Sequence, residues 1–452
     1  MRESRETMPG WLMDGGNPQR TNRQDGSINL PMVFHEVYHT GYLKSQVMVV
    51  DQSIYFRNDS GLFAMDMQAR KLAWEYPMES ARDYSAPVVT EELVTFGGDA
   101  GMYGVDRATG KGKWKVPGAA VAGSPLVVDG LLYYGDLSGV VREVDVTTGK
   151  VNWDVKVGAG FWSSLAAIDN RLVCPSPDRS VYAVDTRSHQ VLWKVTTGGG
   201  FQCDPVADGS TVFVASEDSF VYAIDARTGK IVWKYRTLNE GASHIACGED
   251  GVFVAGNDGI TYALRKDDGR LLWQFAPGRI FNRSEYLKRY PHLTSDHCRV
   301  DCIVSLISLP GLVLGGMGNG YLYALDAGSG AVKWKEEVGC SYDAPMTIAD
   351  GKLFVPLYGG IGTTACYEPA PKIDFSLNGQ PVALSGPLPN IRNGTEWSWC
   401  RWSAWPILDY AMNGSRNRGR RTRKSWVTLT LSSLRTGKGM ESLCGGGTGK
   451  HL

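Results

Sequence analysis

The chain has 452 residues, of which 43% are hydrophobic and 21% charged, with a formal net charge of zero. That composition reads as a soluble globular protein and gives the whole chain no electrostatic reason to seek nucleic acid or an anionic membrane. No stretch reaches the run of about eighteen apolar residues that a membrane-spanning helix needs.

The opening "MRESRETMPGWLMDGG" mixes charges of both signs and has no apolar core. It does not read as a secretory signal. The expected compartment is therefore the cytoplasm, or the periplasm or exterior if a leader has been removed. The nine cysteines include no CxxC pair, which points to reduced thiols.

A strand is expected next, in "PMVFHEVYHTG", followed by a long repeat. Trp74, Trp114, Trp153, Trp193, Trp233, Trp273 and Trp334 are spaced 40, 39, 40, 40, 40 and 61 residues apart. Phe34 lies 40 residues before Trp74 and fits the same slot. Each unit holds four short apolar runs, such as "SPLVV", "LLYYG", "VVREVD" and "KVNWDV". Alternation, β-branching and aromatics mark these as strands. The last two strands of a unit are joined by Asp-x-x-Thr-Gly-Lys in its clearest copies, Asp106–Lys111, Asp145–Lys150 and Asp225–Lys230. There Gly supplies a positive φ and Asp can bond the turn backbone.

A four-stranded sheet of about 40 residues cannot bury both faces alone, whereas radial packing around an axis buries both. The expected fold is all-β, a propeller of four-stranded antiparallel blades with each Trp wedged between neighbours. Seven closures end at Trp334. Three further runs, "APMTIAD", "KLFVPLY" and "TTACYEP", lack a fourth strand, and the Phe34 segment is a fourth strand without a blade. Joining them gives an eighth blade, closed by the N-terminal strand, and removes two unpaired sheet edges. The propeller is expected over residues 1–369.

First strands of blades line the channel of a propeller, so the segments leading into them form one rim. Packing residues should repeat from blade to blade, and binding residues should vary. The varied set is Tyr42, Lys44, Arg82, Asp83, Tyr84, Phe161, Trp162, Gln202, Asp204, His244, Tyr342 and Asp343. Aromatic walls with a few charges suit a small polar ligand or a peptide. The long gap before Trp334 holds "GRIFNRSEYLKRYPHLTSDHCRVDC". Residues 279–302 are expected to form a lid-like loop on the same rim. His292, His297, Cys298 and Cys302 match no zinc spacing, and adjacent His297 and Cys298 would share one ion poorly; no metal site is expected.

Residues 370–452 break the repeat. Trp397, Trp399, Trp402 and Trp405 cluster there, followed by six basic residues between Arg416 and Lys424. This tail carries a local +8, so the rest carries −8. It is expected to be irregular, and it offers the one route to an acidic or nucleic-acid partner. "CGGGTGKHL" imitates a phosphate-binding loop but has His451 where Ser or Thr is needed and no helix to follow. The Asn-x-Ser/Thr triplets at Asn58, Asn282, Asn393 and Asn413 matter only in a secreted chain.

The unit "vYAlDaxTGkxxWk" resembles the pyrroloquinoline quinone (PQQ) repeat and its PQQ-like propeller relatives. "WLMDGGNPQRTNR" is similar to the segment that often begins such propellers. The resemblance covers residues 11–369. It implies one of two classes: quinoprotein dehydrogenases such as alcohol dehydrogenases, which hold PQQ and calcium on the axis, or non-catalytic scaffolds of the BamB type. Those dehydrogenases usually carry a vicinal Cys-Cys pair, which this sequence lacks, and their catalytic Asp and calcium ligands find no assignable counterparts. The expectation is a non-catalytic binding or assembly scaffold with no cofactor, meeting a protein, a peptide or a small polar ligand at the channel rim. The alternatives are a PQQ- and calcium-dependent oxidoreductase, with Asp83, Asp204 or Asp343 as general base, and a ligand-sensing propeller.

Overall fold

The computed structural model describes residues 10–40, 43, 45–78, 85–201, 203–238, 241–249, 251–277, 303–317, 321–337, 344–357, 363–370, 373–377, 380–382 and 427–431. Its chain divides into two units, Met1–Pro369 and Ala370–Leu452.

The first unit is a ring of eight antiparallel blades. Blades 1 to 7 run in chain order over residues 48–77, 88–117, 126–156, 166–196, 206–236, 242–275 and 303–337. Blade 8 takes Thr347–Ala349, Lys352–Leu357 and Thr363–Pro369 from the C-terminal side and Met32–His39 from the N-terminal side. The closing pair runs from Met32↔Pro369 to His39↔Thr363, as the repeat count predicts. Among the described residues there is no helix long and apolar enough to cross a membrane.

Burial explains the composition of each strand. The middle strands are covered on both faces; Leu93–Gly98 and Gly251–Gly256 are buried throughout. Alternation is therefore lost there, as in any sheet buried on both faces. The outermost strands keep it, with Ile231 and Val232 exposed beside buried Trp233.

Five of the closing tryptophans dock on the next blade through their side-chain N–H. Each indole N–H donates to a carbonyl in the turn between that blade's last two strands: Trp74 to Arg107, Trp114 to Val146, Trp193 to Ala226, Trp233 to Lys266 and Trp273 to Ala327, all at 2.7–2.9 Å. The ring covers the turn glycine. A Cβ on Gly229 would lie 2.8 Å from Trp193, and φ there is +73°. Glycine is thus required twice, for its dihedral and for the indole above it. Thr228 donates its N–H and hydroxyl to Asp225 at 2.7 and 2.6 Å, and that hydroxyl bond holds the Asp225 carboxyl below its ordinary range.

Two positions depart from the expected wedge. In blade 4 His189 replaces the turn glycine at φ 60°. It stacks on Trp153 at 4.8 Å, and the buried Trp153 Nε1 has no partner. Phe34 meets Tyr367 edge-on at 5.9 Å but stays 44% exposed. It has no indole N–H with which to anchor itself.

In the second unit, Ile373–Leu377 pairs with Gln380–Val382 and with Val427–Leu431. Sequence patterning expects irregular backbone here, and the described residues form a small antiparallel sheet. The Trp397–Trp405 cluster and the 416–424 basic run lie outside the described residues.

Candidate functional site at the channel axis

The innermost strand of every blade leaves one edge facing the axis. Its N–H groups need acceptors once the channel is dry. Residues 10–24 supply them to six of the eight blades. Gly10–Trp11 pairs with the first strand of blade 1. Leu12 O then accepts from Val89, Pro18 O from Ala167, Gln19 O from Ala207, Thr21 O from Cys247 and Asn22 O from Ser308, at 2.8–2.9 Å. The segment is therefore a plug whose carbonyls radiate like spokes. Left-handed φ at Gly15, Gly16, Arg20 and Asn22 lets successive carbonyls turn outward. A Cβ on Gly15 would fall 2.6 Å from Arg20 Cα, so that position admits glycine alone.

Arg20 is the hub, with 1% exposure. Nε donates to Leu165 O at 2.5 Å, and Nη2 to Ser124 O and Pro125 O at 2.6 and 3.2 Å. Nη1 meets Asp14 O at 3.1 Å and Asp14 Oδ2 at 3.2 Å. Five guanidinium N–H groups thus face five acceptors, the full capacity of the side chain. Blade 8 is reached through Gln46, which accepts from Gly15 N–H at 3.3 Å and donates to Met346 O at 2.5 Å.

Around this hub runs a belt of side chains at equivalent positions of successive blades. Ala86 N–H donates to Ser124 Oγ, Ser124 N–H to Ser164 Oγ, and Ser164 N–H to Asp204 Oδ1, at 2.7–2.9 Å. His244 holds the next position, and its buried Nδ1 has no partner. Burial, and then the Asp14 charge, push the Asp204 carboxyl above its ordinary range, opposed by Arg20 and Ser164. Burial pushes the His244 imidazole down, opposed by Asp204. The belt therefore ends in two adjacent titratable groups.

Of the residues expected at the rim, Asp204 and His244 are brought together beside the plug. Trp162 is 56% exposed, while Phe161 is fully buried. Phe161 fills the space over Gly135, whose Cβ would lie 2.5 Å from its ring. It belongs to the core, while Trp162 sits in the bend ahead of the strand Ala166–Ile168 and faces solvent. Tyr42, Lys44, Arg82, Asp83, Tyr84, Gln202, Tyr342 and Asp343 lie outside the described residues, as do His292, His297, Cys298, Cys302 and the whole 279–302 insertion. Asp14, Arg20, Gln46, Ser124 and Ser164 were not among the expected site residues.

The described axial residues do not fit calcium. That ion takes about six to eight oxygens, whereas a guanidinium fills the centre and Asp14 is committed to it. Among the described residues no three His, Cys, Asp or Glu side chains could hold a metal together. A recess of about 610 Å³ opens elsewhere, between blades 1 and 2 on the opposite face, lined by Asp51, Trp74, Glu91, Glu92, Asp106, Arg107 and others. There Arg107 pairs with Asp51 at 2.6 Å and Lys113 with Asp106 at 3.2 Å.

Fold and axis together define an eight-bladed PQQ-like β-propeller. The family model described as outer membrane protein assembly factor BamB matches residues 19–176 and 177–280, and the chain belongs to that family. No curated protein sequence matches significantly. Among solved structures the chain is similar to BamB from Moraxella catarrhalis, with TM-score 0.58 and 15% identity over 75% of this chain and 98% of that one. It is also similar to quinohemoprotein alcohol dehydrogenase from Comamonas testosteroni, with TM-score 0.63 and 14% identity over 79% and 80%. A computationally designed protein, Ika8, matches with TM-score 0.59 and 14% identity over 76% and 100%. An assembly factor, an oxidoreductase and a design share the architecture, so the fold alone assigns no activity.

Proposed function

We propose that the chain is a non-catalytic binding or assembly scaffold that meets its partner at the rim of the channel, around Trp162. One observation carries this reading: the axis is filled by residues 10–24, and Arg20 has every donor matched within the chain. A quinone cofactor on that axis would have to compete with backbone spokes already in place. Contact then falls to the surface around the mouth, where an exposed indole is a common anchor for a protein partner. The family description, an outer membrane assembly factor, points the same way.

The test is an absorbance titration of the full chain with PQQ and calcium, followed by dye reduction with primary alcohols. The scaffold reading expects no bound-quinone spectrum and no reduction. A saturable quinone spectrum with alcohol-dependent turnover overturns it.

A further inference from the structure

Asp204 and His244 hold successive positions of the axial belt, a carboxyl beside an imidazole. The partner of Asp204 is Ser164, through its N–H at 2.7 Å and its hydroxyl, and among the described residues no cation forms an ion pair with it. The Arg20 charge is felt by Asp204, but its donors are taken by Asp14 and three backbone carbonyls. Beside Asp204, His244 Nδ1 is buried without a partner. Trp162 lies two residues before Ser164, within about 7 Å along the chain, and is exposed.

We infer that the channel mouth is a subsite for a primary ammonium group, the side chain of a lysine presented by a protein partner. The inference rests on the scaffold reading and names the chemistry that the scaffold would recognise. An ammonium has three donors and no acceptor. It gives Asp204 a counter-charge in direct contact and can donate to an unprotonated His244 Nδ1. The aliphatic stem of lysine then lies against the Trp162 ring, as such stems do on apolar surfaces, and an indole face favours a nearby cation. An anion is disfavoured by two carboxylates, Asp14 and Asp204. The raised carboxyl of Asp204 agrees, since a bound cation relieves a carboxylate that burial penalises.

The experiment is calorimetric titration of the full chain with the peptide acetyl-Gly-Lys-Gly-amide, its norleucine counterpart, and putrescine. The lysine peptide should bind saturably and the norleucine peptide should not. Asp204→Asn, which keeps the oxygen facing Ser164, should weaken the lysine peptide by roughly tenfold or more. Trp162→Ala should weaken it without changing the melting temperature. Equal binding of the lysine and norleucine peptides, no saturable binding, or an unaltered affinity in Asp204→Asn overturns the proposal. Putrescine binding more tightly than the lysine peptide overturns the protein source in favour of a free amine. PQQ with calcium is titrated in parallel. Quinone binding defeats the scaffold reading, whereas silence from both quinone and lysine peptide defeats the lysine subsite alone.

Discussion

Removing the Arg20 guanidinium is the sharpest test of the plug. Arg20→Met keeps much of the stem and deletes the charge. The change strands the Asp14 carboxylate, which is 13% exposed, and frees the carbonyls of Leu165, Ser124 and Pro125, which Arg20 ties across blades 3 and 4. Breaking a buried ion pair from one side costs about 3–5 kcal/mol. In a domain of this size that corresponds to a fall in melting temperature of roughly 4–7 °C. Calorimetry measures it, and guanidinium unfolding checks that the slope is unchanged. The double variant Asp14→Asn/Arg20→Met separates the causes. If the stranded carboxylate dominates, the second change recovers part of the loss; if the free carbonyls dominate, the two losses add. An Arg20→Met protein that melts within a degree of the parent refutes the hub.

Trp233→Ala removes a side chain that is 8% exposed together with its bond to Lys266 O, and should cost about 3–5 kcal/mol. Phe34→Ala should cost about 1 kcal/mol, because that ring is already 44% exposed; equal losses in denaturant titrations would show that Phe34 is a full wedge. Gly229→Ala should destabilise by about 1–3 kcal/mol through its left-handed φ and the Trp193 ring, whereas His189→Gly should stabilise by about 1 kcal/mol; thermal melts of both check the sign reversal. Asp204 has its carboxyl raised in the folded chain, so the folded state holds that proton more tightly than the unfolded one. The associated stability is present below the unfolded value of about 3.9 and is lost as pH rises through the folded value. Asp204→Asn should therefore gain stability over the parent across that rise and keep the gain at neutral pH; a parallel pair of stability–pH curves would contradict it.

The ring was legible because its information is periodic. Trp spacing registers seven closures, and the missing fourth strand after Tyr367 matches the spare strand around Phe34. The plug was not legible for the opposite reason. It occurs once, has no hydrophobic period, and binds backbone N–H groups that carry no side-chain signature. Asp14 and Arg20 read as two ordinary charges in a turn-rich opening. The belt lay in between: Ser124, Ser164, Asp204 and His244 recur at 40-residue steps, but attention to unusual residue types selects only the last two. Phe161 misled because two adjacent aromatics look alike in sequence, while the bend ahead of Ala166–Ile168 sends one into the core and the other to solvent.

The spokes of residues 10–24 also set an order of assembly. They precede every blade they touch, and their last partner, Ser308, arrives hundreds of residues later, as does Met346, the partner of Gln46. Until blade 7 exists, Asn22 has no Ser308 to meet; until blade 8 exists, Gln46 has no Met346. The same holds for Met32–His39, which waits for Thr363–Pro369. A growing chain must therefore carry an open crescent of finished blades in which Asn22 and Met32–His39 still lack their partners. Slow synthesis through the later blades lengthens that exposure, and a chaperone that shields the opening segment would shorten it.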